Sequence, residues 1–458
     1  MKNLHLAFLL FFTSFACQQQ TTSPKETEKS DLKAEKTLSA QVAAGPMLGY
    51  TTMMEAQIWL QTTAPSAVAL KYYDSMQEKW ITLSGHTHSD NAHTIHFTTE
   101  RLEPGQHYPY EIYLEEEKVS FDYPLLFKSK PLWQWRRDAP DFRFATGSCA
   151  YGSDEPYDRP GKPYGGDYQI YEHIHQKNPD FMLWLGDNIY LRESDWNSKN
   201  GIYYRYSHQR SLAELQPLLA HCPHYAIWDD HDFGPNDADR SFSGKATALA
   251  AFKDFWANPQ YGLGQKDGSG ITGTFEWSDA QFFLMDNRYF RSPNKRKTGD
   301  RSFLGKDQVN WLIDALSFSQ ANFKFIAIGG QVLNSVQTKE NYSNFPEELN
   351  YLISEIKANQ IDGVIFLTGD RHFSELSILK EDGLYPLHDF TVSPLNSGGY
   401  TPNENNTNRI AESLITERNF ATFQVSGKKE ERRLEVQYYD ANGKDLWSYQ
   451  LMAKDLKH

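Results

Sequence analysis

From residue 142 onward, the chain alternates short apolar runs with amphipathic stretches, and this alternation restricts the fold more than any other feature. The apolar runs are residues 142–145, 181–185, 224–228, 282–285, 323–328 and 364–367. Stretches with helical spacing lie between them, at residues 169–176, 211–220, 247–256 and 306–317. Strand–helix repetition of this kind predicts a layered α/β domain, which we place at residues 138–458. Late alternating segments at 421–425 and 433–438 are expected to close a sheet.

Residues 42–137 follow a different pattern, in which apolar and polar residues alternate with a period of two. Clear examples are residues 56–61, 67–72, 94–98 and 108–113, with Pro and Gly between them. Short alternating strands separated by turn residues predict an all-β sandwich of fibronectin-III or immunoglobulin size.

The N-terminal residues indicate export. Lys2 precedes an apolar run at 6–12 and small residues up to Ala16, which is typical of a secretory signal at 1–17 and too short to span a bilayer. Cys17 after Ala16 resembles the acylated cysteine of a bacterial lipoprotein, which predicts a membrane anchor at the periplasm or cell surface; plain secretion is the alternative. Residues 18–41 are polar and are expected to form a flexible tether.

The charge of the chain restricts its partners. A formal net charge of −13 argues against dedicated nucleic-acid binding, because phosphate backbones are bound by Lys and Arg. The same charge repels small anionic substrates, so a phosphate site here needs local positive charge such as metal ions. The sequence indicates no protein partner.

Four apolar runs in the C-terminal region are followed by residues of types that can bind metals. The endings are 147–149 (Gly-Ser-Cys), 186–190 (Gly-Asp-Asn-Ile-Tyr), 229–232 (Asp-Asp-His-Asp) followed by Asn236 and Asp237, and 369–372 (Gly-Asp-Arg-His). Ligands of α/β sheets bind beyond the carboxyl ends of the strands, so these endings predict one shared metal site.

The residue types suit a two-metal hydrolase. Such an enzyme needs a carboxylate that bridges two cations, and Asp187 is the best candidate; a metal-bound hydroxide then attacks phosphorus. Within residues 229–232 we rank Asp230 first as a metal ligand. Asn236, a few residues later, has a comparable claim to that role. The other aspartates there are expected to orient His231 or cap a helix. His231 is the candidate catalytic residue, which hydrogen-bonds the transition state or protonates the leaving oxygen.

These motifs resemble the bacterial alkaline phosphatase D (PhoD-like) family of the metallophosphoesterase superfamily, over nearly the whole mature chain. Residues 286–291 and 304–312 add weaker support, whereas the family's glycine-rich opening appears only loosely at 44–49. The resemblance implies a metallophosphoesterase α/β sandwich preceded by the β-sandwich. It also implies a phosphatase or phosphodiesterase with a binuclear or larger metal cluster.

By the same resemblance, Fe³⁺ is expected on Cys149, Asp187, Tyr190 and His372. Thiolate and phenolate are strong donors that suit a trivalent transition metal. Ca²⁺ is expected on Asp187 and Asp370, with Asn236 or Asp230 as a further oxygen ligand.

Several residues have alternative interpretations. Cys149 could instead form a disulfide with Cys222. Arg288 is our candidate substrate-binding residue, because a guanidinium grips phosphate oxygens, although a surface ion pair is equally compatible. His86 and His88 imitate a superfamily signature but lie in a polar stretch that we interpret as a loop.

Two other functions compete with phosphoester hydrolysis. In one, Cys149 is the nucleophile of a Cys-dependent hydrolase, with His231 or His372 as its base. In the other, the chain is a non-catalytic surface lipoprotein that binds a glycan or a protein. The substrate is open: a phosphoester small molecule, a lipid headgroup or a polymer, as a mono- or diester.

Overall fold

The structure, a computed structural model, describes residues 40–458 except the side chain of Glu430. These residues form one compact unit. The predicted signal segment, the predicted acylation site Cys17 and nearly all of the predicted tether lie outside the described residues. None of the helices within residues 40–458 is long and apolar enough to cross a membrane.

The first part of the described chain consists of antiparallel strands. They are β1 (Val42–Thr51), β2 (Ala56–Thr62), β3 (Ala67–Asp74), β4 (Lys79–His86), β5 (Thr94–Thr98), β6 (His107–Leu114), β7 (Glu117–Lys118) and β8 (Leu126–Lys128). One sheet has the order β1-β2-β5, and the other has the order β4-β3-β6-β7, with β8 also paired to β6. Ile58, Leu70 and Ile112 are fully buried in a shared core. The all-β prediction is confirmed here, and the likeness to a fibronectin-III or immunoglobulin domain stays a prediction.

The rest of the chain alternates strands and helices, as the apolar runs predict. The elements are β9 (Phe142–Gly147), α1 (Gln169–Gln176), β10 (Phe181–Leu185), α2 (Lys199–Arg210), α3 (Gln216–His221), β11 (His224–Ile227), α4 (Asp230–Phe233), α5 (Lys245–Phe255), β12 (Gly273–Trp277), β13 (Ala280–Leu284), α6 (Lys306–Phe318), β14 (Phe323–Ile328), α7 (Pro346–Ala358), β15 (Val364–Thr368), β16 (Glu375–Glu381), β17 (Leu384–Thr391), β18 (Asn419–Ser426), β19 (Arg433–Asp440) and β20 (Asp445–Met452).

These strands form two mixed sheets that pack on each other. The first sheet has the order β11-β10-β9-β18-β19-β20, and the second has the order β12-β13-β14-β15-β17-β16. In the first sheet β9, β10 and β11 are parallel, and in the second β13, β14, β15 and β17 are parallel. The ring of Phe144 in the first sheet lies 5.2 Å from Phe282 and 5.4 Å from Phe325 in the second. Aromatic edge-to-face packing thus fills the space between the sheets.

The N-terminal strands dock closely on the α/β part. Trp59 donates its indole N–H to the carbonyl of Asp254 at 2.8 Å, and the N–H of Tyr50 donates to the carbonyl of Ala257 at 3.1 Å. A side chain at Gly49 would overlap the Cβ of Ala257. Glycine is therefore required in this part of β1.

Candidate metal centre

The ends of β9, β10 and β15 bring three chemically different side chains together. Cys149, Asp187 and His372 each present a ligand atom, and these atoms lie within 4.8 Å of one another. The Cys149 Sγ is 3.5 Å from Asp187 Oδ2. Cys149 and Asp187 follow adjacent parallel strands of the first sheet, and His372 follows a strand of the facing sheet. The expected convergence of these strand endings is present in the structure.

The backbone of these residues has an unusual conformation. φ is +60° at Cys149, +50° at Asp187, +68° at Asp370 and +56° at His372. Non-glycine residues rarely adopt the left-handed region, and such residues concentrate at functional sites. Each strand therefore ends in a sharp reversal that turns its side chain into the centre.

Cys149 is completely buried and holds a free thiol. Its Sγ accepts a hydrogen bond from the Ser393 hydroxyl at 3.2 Å. Burial, followed by the negative charge of Asp370, raises the pKa of the Cys149 thiol to about 12. Cys222 is also a buried free thiol, so the alternative of a Cys149–Cys222 disulfide is wrong for this structure.

His372 is held in one orientation by its loop. Its Nδ1 lies 2.5 Å from the carbonyl oxygen of Gly398, and because a carbonyl only accepts, Nδ1 carries the proton. Nε2 then presents its lone pair to the centre, where the hydroxyls of Tyr190 and Tyr164 lie 3.2 and 3.3 Å away. Fixing one ring nitrogen in this way is how proteins orient a histidine that ligates a metal.

Carboxylates crowd the same centre. Asp229, Asp230 and Asp370 form one group of converging oxygens, and Asp187 and Asp230 form another with His231. Burial and the charge of Asp230 raise the pKa of Asp187 well above its usual range, and burial and Asp229 raise that of Asp370 to about 8. Asp229 Oδ2 and Asp230 Oδ1 are buried without a hydrogen-bond partner. Buried carboxylate oxygens that accept no hydrogen bond are costly, so this donor set fits cations.

His231 faces this centre from the start of α4. Its ring centroid is 4.3 Å from that of Tyr190, and its backbone N–H donates to Asp187 Oδ1 at 3.2 Å. Burial lowers the pKa of His231 to about 4, so the imidazole is uncharged at neutral pH. Its Nδ1 is buried without a hydrogen-bond partner. Its position suits a ligand as well as the predicted catalytic role, which stays a prediction.

The two rival ligands Asp230 and Asn236 both line the cleft at the centre. Asp230 is 3 % exposed and accepts the N–H of Asp237 at 2.6 Å, whereas Asn236 is exposed. Asp232 instead accepts the N–H groups of Asp229 and Asn188, each at 3.0 Å, which agrees with the expected capping role of one aspartate in this segment.

The structure corrects the expected environment of Arg288. The sequence predicts a guanidinium that grips substrate phosphate, whereas this side chain has no exposed surface. It pairs with Asp229 and Glu340 and lies 3.9 Å from Asp230. Arg288 therefore lies behind the carboxylates and does not line the cleft, because these buried anions need a counter-ion.

Sequence reasoning missed several residues of the centre. Glu340 lies with Asp230 and Asp237 in a further group of converging carboxylates, but it comes from the middle of the loop after β14. Tyr164 and Ser393, which contact His372 and Cys149, also lie in loops. Glu340 and Tyr164 lie away from strand ends, so the strand-end pattern gives no signal for them. Ser393 comes two residues after β17, but His388 and Asp389 interrupt the apolar residues of that strand, so no apolar run indicates it.

The arrangement of these side chains agrees with the protein family that the sequence matches. A profile described as PhoD-like phosphatase matches residues 144–441. The chain belongs to the PhoD-like phosphatase family. Residues 39–128 match a second profile, described as a domain of unknown function, DUF7800. The PhoD-like match contains every predicted ligand, from Cys149 to His372.

Similar proteins extend this assignment. The chain is 24% identical over 337 residues to the alkaline phosphatase D of Bacillus subtilis (strain 168), covering 64% of this chain and 55% of that protein. The chain thus spans about half the length of this curated relative. A solved structure described as that of PhoD has a TM-score of 0.74 at 18% identity, covering 93% of this chain and 92% of the other. This PhoD-like chain therefore shares that fold through both its all-β and its α/β parts.

Proposed function

We propose that this PhoD-like chain is a metal-dependent phosphoester hydrolase that acts on mono- or diesters. The observation that carries the proposal is the convergence of thiol, imidazole and carboxylate groups, of which the imidazole and carboxylates line an open cleft of about 790 Å³ and the thiol is buried beside them. A cleft of that volume suits a substrate of ordinary small-molecule size.

The donor set supports two kinds of metal. Cys149, Asp187, Tyr190 and His372 would hold Fe³⁺, because sulfur, phenolate and imidazole donors suit a transition metal. Asp187 and Asp370, with Asp230 or Asn236, would hold Ca²⁺, which prefers oxygen ligands. Cations bound there would neutralise phosphoryl charge and lower the pKa of water.

The remaining residues would position the reaction. The backbone N–H of His231 donates to Asp187 and so holds this residue beside the centre. Its uncharged imidazole lines the cleft, where a ring N–H could donate to an oxygen of the substrate. Gly398 fixes the His372 ring. Arg288 would hold Asp229 and Glu340 in place from behind.

The Cys-dependent alternative has less support. A nucleophilic cysteine needs an accessible thiol with a lowered pKa. Cys149 has no exposed surface, and burial raises the pKa of its thiol. A bound cation would favour the thiolate, which agrees with a ligand role.

Export and membrane anchoring through Cys17 are part of the proposal. They are supported by residues 1–17 of the sequence alone. An anchored enzyme would meet phosphoesters, lipid headgroups or polymers outside the cytoplasm.

The test is hydrolysis of a panel of phosphomonoesters and phosphodiesters by the purified chain, with and without a chelator. We expect turnover of at least one ester class that is lost on chelation and restored by iron with calcium. A metal-loaded, folded protein that hydrolyses no member of the panel would overturn the proposal.

A further inference from the structure

The cleft that contains the centre is lined by cationic side chains as well as by the carboxylates of the centre and Glu417. Lys162, Lys339, Arg371 and Arg418 line it. Arg371 is paired with Glu404. Among the described side chains, no carboxylate lies within ion-pair distance of the other three. In a chain of net charge −13, three unpaired cations around one cleft call for an anionic ligand.

Arg418 is held in position while its charge stays available. Its Nε donates to the carbonyl of Ser397 at 3.0 Å. Its guanidinium lies against the backbone of Gly166, where an added Cβ would clash with Cζ and Nη1. Within the described part of the chain, its Nη groups make no hydrogen bond, and the exposed neighbour Glu417 does not pair with it. An oriented guanidinium with free Nη groups matches the geometry of a carboxylate or phosphate.

One loop connects Arg418 to the metal centre. The carbonyl of Ser397 accepts from Arg418, and the carbonyl of the next residue, Gly398, holds His372. Arg418 and the metal-ligand candidate His372 therefore line the same cleft. Its volume of about 790 Å³ leaves room for more of the substrate than one phosphoryl group.

We propose that Arg418, with Lys162 and Lys339, binds a second anionic group of the substrate. The preferred substrates are then phosphoesters that also carry a carboxylate or another phosphate. Tyr164 and Tyr400 are partly exposed and also line the cleft, where their rings would provide contact area for the connecting part of the substrate. This inference rests on the proposed phosphoesterase function.

The test compares three esters: phenyl phosphate, 4-carboxyphenyl phosphate and 4-phosphonophenyl phosphate. Arg418→Ala should lower kcat/KM for the two substituted esters about tenfold more than for phenyl phosphate, the size expected for one lost charge-assisted hydrogen-bonded pair. The loss should appear in KM rather than kcat, because the contact is made equally in the ground and transition states. The two substituted esters separate a carboxylate subsite from a phosphate subsite.

Two further variants keep the test decisive. Gly166→Ala displaces the Arg418 guanidinium without removing it and should reproduce the effect of Arg418→Ala. Arg137 is an exposed arginine outside the cleft, so Arg137→Ala should leave kcat/KM for all three esters unchanged. If Arg418→Ala leaves the ratio between substituted and unsubstituted esters as in the wild type, the subsite is refuted while the hydrolase stands. If the metal-loaded wild type hydrolyses none of the three esters, nor any of the wider panel, both proposals fall.

Discussion

Arg288 shows how charge is arranged around single residues of this site. Its guanidinium pairs with Asp229 and Glu340 and also donates to the carbonyl of Ala238 at 3.2 Å. All of these groups are buried, and Arg288 is the cation that pairs with Asp229, whereas Glu340 also pairs with Arg291 at 3.0 Å. Removing one partner of a buried ion pair costs far more than the pair itself contributes, since it leaves an uncompensated charge.

We therefore predict that Arg288→Ala lowers the free energy of unfolding by about 3–5 kcal/mol. The matched control is Arg159→Ala, which removes an exposed pair with Glu193 and should cost less than about 1 kcal/mol. Denaturant unfolding of both variants measures the difference. Unchanged stability of the Arg288 variant together with a raised KM would instead support direct contact with substrate.

The sequence predicts the cluster of Cys149, Asp187 and His372 but not the partners of Arg288. The three clustered residues directly follow apolar runs, and parallel strands bring their carboxyl ends to one edge. Glu340 reaches Arg288 from the middle of a long loop, and the path of such a loop depends on tertiary contacts rather than on local pattern.

At the scale of elements, the centre depends on how closely three strand endings approach. A Cβ on Gly369, just after β15, would lie 2.7 Å from the Cβ of Ser148 and 2.8 Å from the carbonyl oxygen of Leu185. Leu185 ends β10, and Ser148 directly follows β9, the neighbouring strand of the same sheet. The absence of a side chain at Gly369 therefore lets Asp370 and His372 reach Cys149 and Asp187.

We predict that Gly369→Ala lowers metal content by separating these strand endings while the fold is retained. Overpacking of this kind typically costs about 1–3 kcal/mol in stability. Gly49→Ala is the control, because it overpacks the junction with Ala257, away from the centre, and should reduce stability without changing metal content. Equal metal content in the two variants, measured by elemental analysis, would contradict this explanation.

The individual elements could be predicted more completely than their pairing. Apolar runs at 142–145, 181–185 and 364–367 correspond to β9, β10 and β15 within two residues. No local signal indicates that β18 inserts beside β9, nor that Phe144 packs against Phe282 of the other sheet. Such pairings join residues far apart in sequence, and they depend on the packing of the whole core.

At the scale of the whole molecule, protonation of the buried carboxylates makes the stability of the fold depend on pH and on bound metal. Burial raises the pKa of Asp370 to about 8 and that of Asp187 well above its usual range, so the folded metal-free chain holds protons that the unfolded chain releases at lower pH. Where the folded state binds more protons, stability falls as pH rises.

We predict that the Tm of the metal-free protein falls between about pH 6.5 and 8 relative to the metal-loaded protein. Below that range, His231 acts in the opposite direction, because burial lowers its pKa. Thermal unfolding with chelator or with metals measures the effect, and the comparison cancels other groups that titrate there, such as Lys130. Parallel pH profiles for the two forms would show that these carboxylates do not meet the metals.

The most direct test of the central claim is the number of metal ions per chain in the wild type and in Asp187→Asn, measured by elemental analysis together with phosphoester turnover. We expect about two or more ions in the wild type, and loss of metal with an activity at least about 100-fold lower in the variant. Asp382→Asn, at an exposed position outside the cleft, should match the wild type. A wild-type protein that holds no stoichiometric metal, or an Asp187 variant that keeps both its metal and its turnover, would contradict the account.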